Sequence, residues 1–224
     1  MKRLEAKTFN PGNTRRVIVN SEMVRQEIIE QFQFPAERIV LVRNGIDAKR
    51  FQSGDRQATR ARFGVQPDDY LLLFVGSGWE RKGLLFLLQA MARMPARMTK
   101  LLVVGKDRPP RNAPANVIFA GSMEKVEDAY AAADLFVFLP IYDPAANVVM
   151  EALAAGLPVI TSTMNGSSEV IQPGVTGTVV ENPADTGAVA SAIEFWRGRP
   201  KLAPSTQFTL EQNVRETLCV LEKK

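Results

Sequence analysis

The sequence predicts an α/β fold with a doubly wound parallel sheet, and two of its features support that prediction. Short aliphatic runs recur along the chain, and most of them are continuous and do not alternate with polar residues. Runs of this kind are typical of strands that are buried on both faces of a parallel sheet. Segments with helical apolar spacing separate the runs from about residue 70 onward, as expected where each strand is followed by a crossover helix.

The predicted strands come at regular intervals along the chain. They cover residues 15–20, 38–45, 70–77, 99–105, 116–121, 135–140 and 158–162. The predicted helices cover residues 21–32, 82–94, 123–133, 147–156, 185–198 and 209–224. Ser21 is expected to cap the first of these helices, and Gly156 with Pro158 to end the fourth. We interpret residues 46–69 as a polar connector with one short helix, and most of residues 162–185 as a connection between strands.

The composition restricts the chemistry that the chain can perform. Its 224 residues are 46% hydrophobic and 23% charged, as in soluble globular proteins, and no apolar run reaches eighteen residues. The N-terminal residues have no apolar core of a signal peptide, so we expect none. The absence of histidine excludes a histidine triad, zinc ligand or general base within this chain.

The cysteine content and the net charge narrow the setting further. Cys219 is the one cysteine, so no intramolecular disulfide is possible, which fits a reducing compartment. We expect Cys219 to be packed among apolar residues. The net charge of +4 indicates an anionic ligand or surface, without selecting nucleic acid, a nucleotide or an acidic membrane.

A glycine turn follows the third predicted strand, in the segment VGSGWERKGL at residues 75–84. Gly76 and Gly78 would let a backbone approach a phosphate, and the following helix would begin near Arg81 and Lys82. The dinucleotide fingerprint fails because its third glycine is misplaced, and the P-loop order fails as well. A phosphate site and a plain turn with solvated charges both remain open on this evidence.

Two carboxylates separated by seven residues form the second candidate site, in the segment DPAANVVMEALAAG. Asp143 precedes a predicted helix, and Glu151 lies one turn beyond Asn147 on the same face. A diphosphate could bind the N-terminal amides of this helix, with Glu151 near a diol and Asp143 on the far side. The alternatives are a helix cap for Asp143 and a partly exposed helix glutamate without a role for Glu151.

Several segments of the chain, together with their order, resemble those of a known family. They are VRNGID, FVGSGWERKGL, LLVVGKD, residues 117–171, PGVTGTVV and ENPAD. They resemble the C-terminal half of the GT4-type retaining glycosyltransferases, which have the two-domain, Rossmann-like GT-B fold, and in particular the bacterial lipopolysaccharide-core α-glucosyltransferases. The resemblance implies segments of 1–45 (end of the N-terminal domain or interdomain segment), 46–206 (nucleotide-sugar-binding domain) and 207–224 (C-terminal helix).

The resemblance implies a role for each candidate residue. The family signature is Glu, seven residues, Glu, and Asp143 replaces the first glutamate here. Catalytic positions would be Asp143, near the donor sugar, and Glu151, on the nucleotide ribose. Donor-binding positions would be Gly76, Gly78, Arg81, Lys82, Ser122, Met123, Ala146, Asn147, Val148 and Glu151. Of these, Arg81 and Lys82 would bind the diphosphate, while Ser122 and Met123 would border the base.

The resemblance also implies the ligands and the cellular setting. The donor would be a UDP-, GDP- or ADP-sugar, bound without a metal ion or other cofactor. An N-terminal domain missing from this sequence would hold a lipopolysaccharide or other glycan or glycolipid acceptor, so this chain alone would be inactive. The location would be cytoplasmic, with peripheral association of the full enzyme with the inner membrane as a further expectation.

Two other functions remain open at this point. An NAD-type oxidoreductase would need the missing third glycine, and Asp107 would have to bind the ribose. A non-catalytic domain that kept the fold would be consistent with Asp143 in place of glutamate. A nucleic-acid role has little support, because the basic residues are scattered and no aromatic platform is evident.

Overall fold

A parallel sheet of six strands forms the centre of the computed structural model, which describes residues 2–94, 99–111 and 113–222. Its strands are β3 (Tyr70–Val75), β4 (Thr99–Val104), β5 (Val117–Gly121), β6 (Leu135–Phe138), β7 (Val159–Ser162) and β8 (Gly177–Val180). They are ordered β5-β4-β3-β6-β7-β8, and neighbouring strands are parallel throughout. This confirms the predicted α/β fold with its doubly wound sheet.

A smaller parallel sheet lies near the start of the chain. It pairs β1 (Val17–Val19) with β2 (Ile39–Leu41). Together with the helix between these strands it encloses a small apolar cluster of its own, formed by Val19, Ile28, Phe34 and Ile39. The division of the chain into segments 1–45, 46–206 and 207–224 stays a prediction.

Helices connect the strands of the larger sheet and cover its faces, and further helices precede and follow that sheet along the chain. In chain order they are α1 (Lys2–Thr8), α2 (Glu22–Phe32), α3 (Ala48–Phe51), α4 (Arg56–Arg62), α5 (Trp79–Lys82), α6 (Leu84–Ala92), α7 (Val126–Ala132), α8 (Asn147–Ala154), α9 (Thr186–Trp196) and α10 (Leu210–Glu222). Short 3-10 helices occupy Ala36–Arg38 and Gly166–Val170. In the described part of the chain, no helix is both long and apolar enough to cross a membrane.

The order of the strands positions the functional edge of the sheet. The chain runs outward from β3 to β5 and then returns to the other side of β3 with β6. The connections that leave β3 and β6 therefore diverge in opposite directions. A crevice forms between such loops at the carboxyl ends of the strands, where ligands bind in open α/β sheets.

The burial of the central strands explains why they could be predicted from the sequence. Leu71, Leu72, Leu73 and Phe74 of β3 are fully buried, and β4 and β6 are buried to a similar degree. Both faces of these strands are covered by helices, so both sets of alternating side chains are apolar. Continuous apolar runs are the result.

Four local predictions differ from the structure. The segment 162–185 contains β8, whose four residues are too few and too polar at their start to stand out. The connector 46–69 contains two helices, α3 and α4, in place of one. The predicted helix 82–94 is interrupted at Gly83, where φ is +78°. Cys219 is exposed, because α10 lies on the surface and none of its residues is buried.

Candidate functional site

A cleft of about 260 Å³ opens at the carboxyl edge of the sheet, between the loops that follow β3 and β6. Its walls come from both loops, from the first turn of α8 and from the segment after β2. The lining residues are Asn44, Val75, Gly76, Lys82, Phe138, Asp143, Ala145, Ala146, Asn147 and Val148.

Two glycines determine how the chain places Lys82 in this cleft. Gly78 and Gly83 flank the single turn of α5 with φ values of +75° and +78°. Side chains rarely adopt this conformation, which glycine adopts freely. A Cβ on Gly83 would also lie 1.8 Å from the carbonyl oxygen of Leu139. The backbone at Gly83 is thus packed directly against the end of β6, and this contact fixes the position of Lys82.

Lys82 and Asp143 form an ion pair inside the cleft. Their side chains are 18% and 7% exposed, so water screens the pair only weakly. The Lys82 ammonium also lies 5.3 Å from the centre of the Phe138 ring. The pair therefore places one cation and one anion at the point where the two loops face each other.

The backbone holds Asp143 in place from the opposite side. Its amide donates to the carbonyl of Met164 at 2.9 Å, and its own carbonyl accepts from the amide of Gly166 at 2.9 Å. Ala146 occupies the cap position of α8, three residues further on. The interpretation of Asp143 as a helix cap is therefore wrong, and its carboxylate is directed at Lys82.

The first turn of α8 forms one wall of the cleft. The Ala146 amide donates to Oδ1 of Asn165 at 3.3 Å, while Ala146 itself has no polar side chain with which to cap the helix. The side-chain amide of Asn44 donates to Oδ1 of Asn147 at 2.8 Å. The first amides of a helix have no intrahelical acceptors, so those of Asn147 and Val148 suit an anion here.

Glu151 lies one turn further along α8 and is mostly buried. Its Oε2 accepts a hydrogen bond from the hydroxyl of Tyr130 at 2.7 Å. Burial raises the pKa of Glu151, while the Tyr130 hydroxyl and the charge of Arg50 act in the opposite direction. Glu151 is therefore partly exposed, as that alternative supposed, but its carboxylate has a defined partner on another helix.

The structure brings together about half of the predicted site residues. Gly76, Lys82, Asp143, Ala146, Asn147 and Val148 line the cleft. The lining does not include Gly78, Arg81, Ser122, Met123 or Glu151. The exposed Arg81 donates to the carbonyl of Tyr142 at 3.0 Å, and the Gly78 amide donates to Asp107 at 2.8 Å. Ser122 and Met123 follow β5, on the other side of β4.

The sequence interpretation missed Asn44, Val75 and Phe138, all of which line the cleft. Val75 and Phe138 were predicted only as strand residues. They reach the cleft because each is the last residue of its strand, at the carboxyl edge of the sheet. Asn44 stands in the Asn-Gly pair at the end of the predicted strand 38–45. An asparagine beside a glycine at the end of a strand is the signal that could have drawn attention to it.

Comparison with known families identifies the chain. A family model described as glycosyl transferases group 1 matches residues 69–196, which include β3, β6, α8 and the whole Lys82–Asp143 pair. The chain belongs to the group 1 glycosyl transferases. A second model, described as glycosyltransferase family 4, matches residues 1–50.

Individual glycosyltransferases are similar to the chain over most of its length. The lipopolysaccharide glucosyltransferase WaaG of Escherichia coli K12 is 31% identical over 195 residues, which are 80% of this chain and 52% of that protein. A D-inositol 3-phosphate glycosyltransferase of Mycobacterium sp. strain KMS is 31% identical over 195 residues, with coverages of 80% and 44%. The chain spans about half the length of the curated relatives it matches.

Solved structures show the same fold. A crystal structure of WaaG superimposes with a TM-score of 0.78 at 24% identity, over 100% of this chain and 63% of that one. Anabaena Alr3699/HepE in complex with UDP-glucose superimposes with a TM-score of 0.82 at 20% identity, over 94% and 64%. The GT-B fold expected from the sequence is thereby confirmed.

Proposed function

We propose that this chain binds a nucleoside-diphosphate sugar as the donor-binding part of a retaining glycosyltransferase. The observation that carries the proposal is the cleft in which Lys82, Asp143 and the first turn of α8 face one another. A cation, a carboxylate and a helix N-terminus suit the three parts of such a donor. The diphosphate would bind the amides and Lys82, and the sugar hydroxyls would bind Asp143.

The chemistry follows from where charge develops during transfer. When the bond between sugar and diphosphate breaks, negative charge grows on the leaving phosphate. Lys82 and the positive end of α8 would stabilise that charge, so we propose that the reaction needs no metal ion. Among the described residues, no group of three or more Cys, Asp or Glu side chains is arranged to hold one.

Donor binding would require an exchange of partners within the cleft. Lys82 is paired with Asp143 in this structure, so the diphosphate must draw the ammonium away from the carboxylate. Asp143 is then released to accept hydrogen bonds from the sugar. Arg81 would assist at the cleft mouth after leaving the carbonyl of Tyr142. Gly78, Ser122 and Met123 would complete the site around the nucleotide.

The identity of the donor and acceptor rests on the relatives. UDP-glucose is bound by the Anabaena neighbour, so a UDP-sugar is the first donor to test, before GDP- and ADP-sugars. Similarity to a lipopolysaccharide glucosyltransferase supports a bacterial glycan or glycolipid as the acceptor. We propose that a further domain holds the acceptor at the cytoplasmic face of the inner membrane, so this chain alone would bind a donor without completing transfer.

The structure gives no support to the NAD-type alternative. Asp107, which would have to bind the ribose of NAD, accepts the amide of Gly78 at 2.8 Å. The third glycine of the segment, Gly83, is packed against the backbone of Leu139.

Calorimetric titration of the chain with UDP, GDP, ADP, UDP-glucose and NADH tests the proposal. We expect one nucleoside diphosphate to bind, and Lys82→Ala to weaken it by about tenfold or more, because a charge-assisted hydrogen bond is lost. Arg81→Ala and Glu151→Ala should weaken it as well, and Lys49→Ala, on the exposed surface of α3, should not. Binding of NADH alone, or equal affinities in all variants, would contradict a donor site here.

A further inference from the structure

The hydroxyl of Tyr130 is buried in the core of the protein and has a single strong partner. Tyr130 lies on α7 and is fully buried, and its hydroxyl donates to Oε2 of Glu151 on α8 at 2.7 Å. A second contact, to the carbonyl of Val148, is 3.5 Å long and contributes little. This hydroxyl therefore joins the two helices at the carboxylate that the family resemblance implies for the ribose.

The ring of Tyr130 cannot move without disturbing the core. Phe51 packs edge-on against it with centroids 5.3 Å apart, and Phe136 packs on another side at 5.7 Å. A phenylalanine would fill this space equally well without burying a hydroxyl. A buried hydroxyl costs free energy unless it is hydrogen-bonded, so packing alone gives no reason for tyrosine at this position.

The charges around Glu151 leave its carboxylate without an ion-pair partner among the described residues. Arg50 on α3 is the cation that acts on it, but the guanidinium is bound by Glu127 of α7 at 2.9 and 3.0 Å. Tyr130 is thus the side chain that orients the carboxylate. A carboxylate has about four acceptor positions, so its other oxygen remains available to hydroxyl donors.

We propose that Tyr130 is a positioning residue for nucleotide binding, which holds Oε2 of Glu151 so that the carboxylate meets the two hydroxyls of a ribose. This inference rests on the proposed function and adds a source of selectivity to it. A fixed carboxylate accepts two neighbouring hydroxyls with little loss of side-chain entropy. The site then selects ribonucleotides over deoxynucleotides through a residue that never touches the ligand.

The variant Tyr130→Phe tests this role, since it removes one oxygen and keeps the ring. The chain and the variant are titrated with UDP, GDP and ADP, and then with the 2′,3′-dideoxy form of whichever of them binds. We expect the unaltered chain to prefer the ribose form by about tenfold or more. In Tyr130→Phe, most of that preference should disappear, while affinity for the dideoxy form stays within about twofold of the unaltered value.

Tyr70→Phe is the matched control. The Tyr70 hydroxyl is also buried, but it finds no hydrogen-bond partner within the described residues. Its removal should leave the ribose preference unchanged. A second measurement needs no nucleotide: carboxyl-carbon NMR of Glu151 should show a higher pKa in Tyr130→Phe, because the hydrogen bond from Tyr130 lowers it.

Three results would overturn the inference. One is an undiminished ribose preference in Tyr130→Phe, another is an equal loss of affinity for both ligand forms, and the third is an unchanged titration of Glu151. If the unaltered chain binds none of the nucleoside diphosphates, both the proposed function and this inference are wrong. That failure is recognised from the unaltered chain alone, whereas a failure of the role of Tyr130 appears only in the variant.

Discussion

Lys82 and Asp143 neutralise each other in a part of the cleft that water reaches poorly. Each charge offsets the cost of burying the other, because an unpaired charge at the same depth would lose its hydration without compensation. Lys82 follows an apolar strand and Asp143 follows another, more than sixty residues later. A pairing between the two loops is therefore a tertiary contact that neither segment shows by itself.

A double-mutant cycle of Lys82→Met and Asp143→Asn should reveal this dependence. Each single variant leaves a buried charge unpaired, so each should lower the free energy of unfolding by about 3 kcal/mol. The double variant should lose less than the sum, with a coupling of about 1–3 kcal/mol. Urea denaturation of the four proteins measures it, and additive losses would show that the two side chains are not paired in solution.

Glu151→Gln should separate stability from ligand binding. Burial raises the pKa of Glu151 above its ordinary value of 4.5, so the folded protein holds this proton more tightly than the unfolded chain. The contribution of Glu151 to stability therefore falls as the pH rises above about 4.5. Glutamine remains neutral and can still accept from Tyr130.

Thermal unfolding at pH 4 and pH 8 measures this effect. We expect the melting temperature of Glu151→Gln, relative to that of the unaltered chain, to be higher at pH 8 than at pH 4. At pH 8 the variant should also bind the nucleoside diphosphate more weakly than the unaltered chain does. A midpoint difference that is constant with pH would contradict the raised pKa. The variant would then act through packing alone.

Single residues were predictable to the extent that their roles depend on neighbours in sequence. Asp143 and Lys82 follow strand ends, and glycines or small residues surround them, so their location in a cleft could be inferred. The partner of Glu151 could not, because Tyr130 lies 21 residues earlier on another helix. Cys219 was predicted to be packed, since the sequence does not show which side of α10 meets the protein.

Among the elements, the break between α5 and α6 has the most direct effect on the cleft. A continuous helix from residue 82 would carry Lys82 in a regular turn. The left-handed Gly83 instead ends α5 and starts α6 in a new direction. Lys82 is consequently the last residue of a short turn whose position is fixed by contact with β6.

Gly83→Ala should disrupt this junction. Its Cβ would add a backbone clash with Leu139 to the cost of a positive φ, so we expect a loss of about 2 kcal/mol or more. Gly78→Ala provides the control: its φ is +75°, but no atom lies within 4 Å of the added Cβ. It should lose only about 1 kcal/mol. Equal losses in chemical denaturation would show that the contact with Leu139 is unimportant.

Elements with a clear apolar period were predicted well, and those without one were missed or merged. β3, β4 and β6 lie in the middle of the sheet, so their apolar runs are long. β8 is an edge strand that begins with Gly177 and Thr178, and such a strand needs fewer apolar residues. The helix break at Gly83 was hidden because the apolar spacing continues across it, and only tertiary contact with Leu139 reveals its cause.

Across the whole molecule, the carboxylate of Glu169 is one of the contacts that connect the smaller sheet unit to the larger one, beside the hydrogen bond from Tyr142 to Glu27 of α2. Glu169 accepts from the backbone amides of Glu22 and Met23 at 3.0 and 2.8 Å, and from Arg43 at 2.8 Å. It thereby satisfies the first amides of α2, which belongs to the smaller unit. The sequence around Glu169, interpreted as part of a connection between strands, does not indicate these distant partners.

Glu169→Ala should loosen this connection without unfolding the central sheet. Loss of a charged acceptor with three donors should cost about 1–3 kcal/mol, concentrated in the smaller unit. Hydrogen exchange should therefore accelerate for amides in residues 17–41 and stay unchanged in β3 and β6. Glu181→Ala, at an exposed position, is the control. Uniform acceleration throughout the protein would show that the two units unfold as one.

The position of Glu169 in the chain also bears on how the protein is made. Arg43 leaves the ribosome 126 residues before its partner. At about 5–20 residues per second, that interval lasts roughly 6–25 s. During this time α2 lacks the acceptor for its first amides. The smaller unit around Phe34 is then stabilised by two short strands and a small apolar cluster. Newly synthesised chains should therefore be most open to chaperones and proteases over residues 17–41, until the carboxylate arrives.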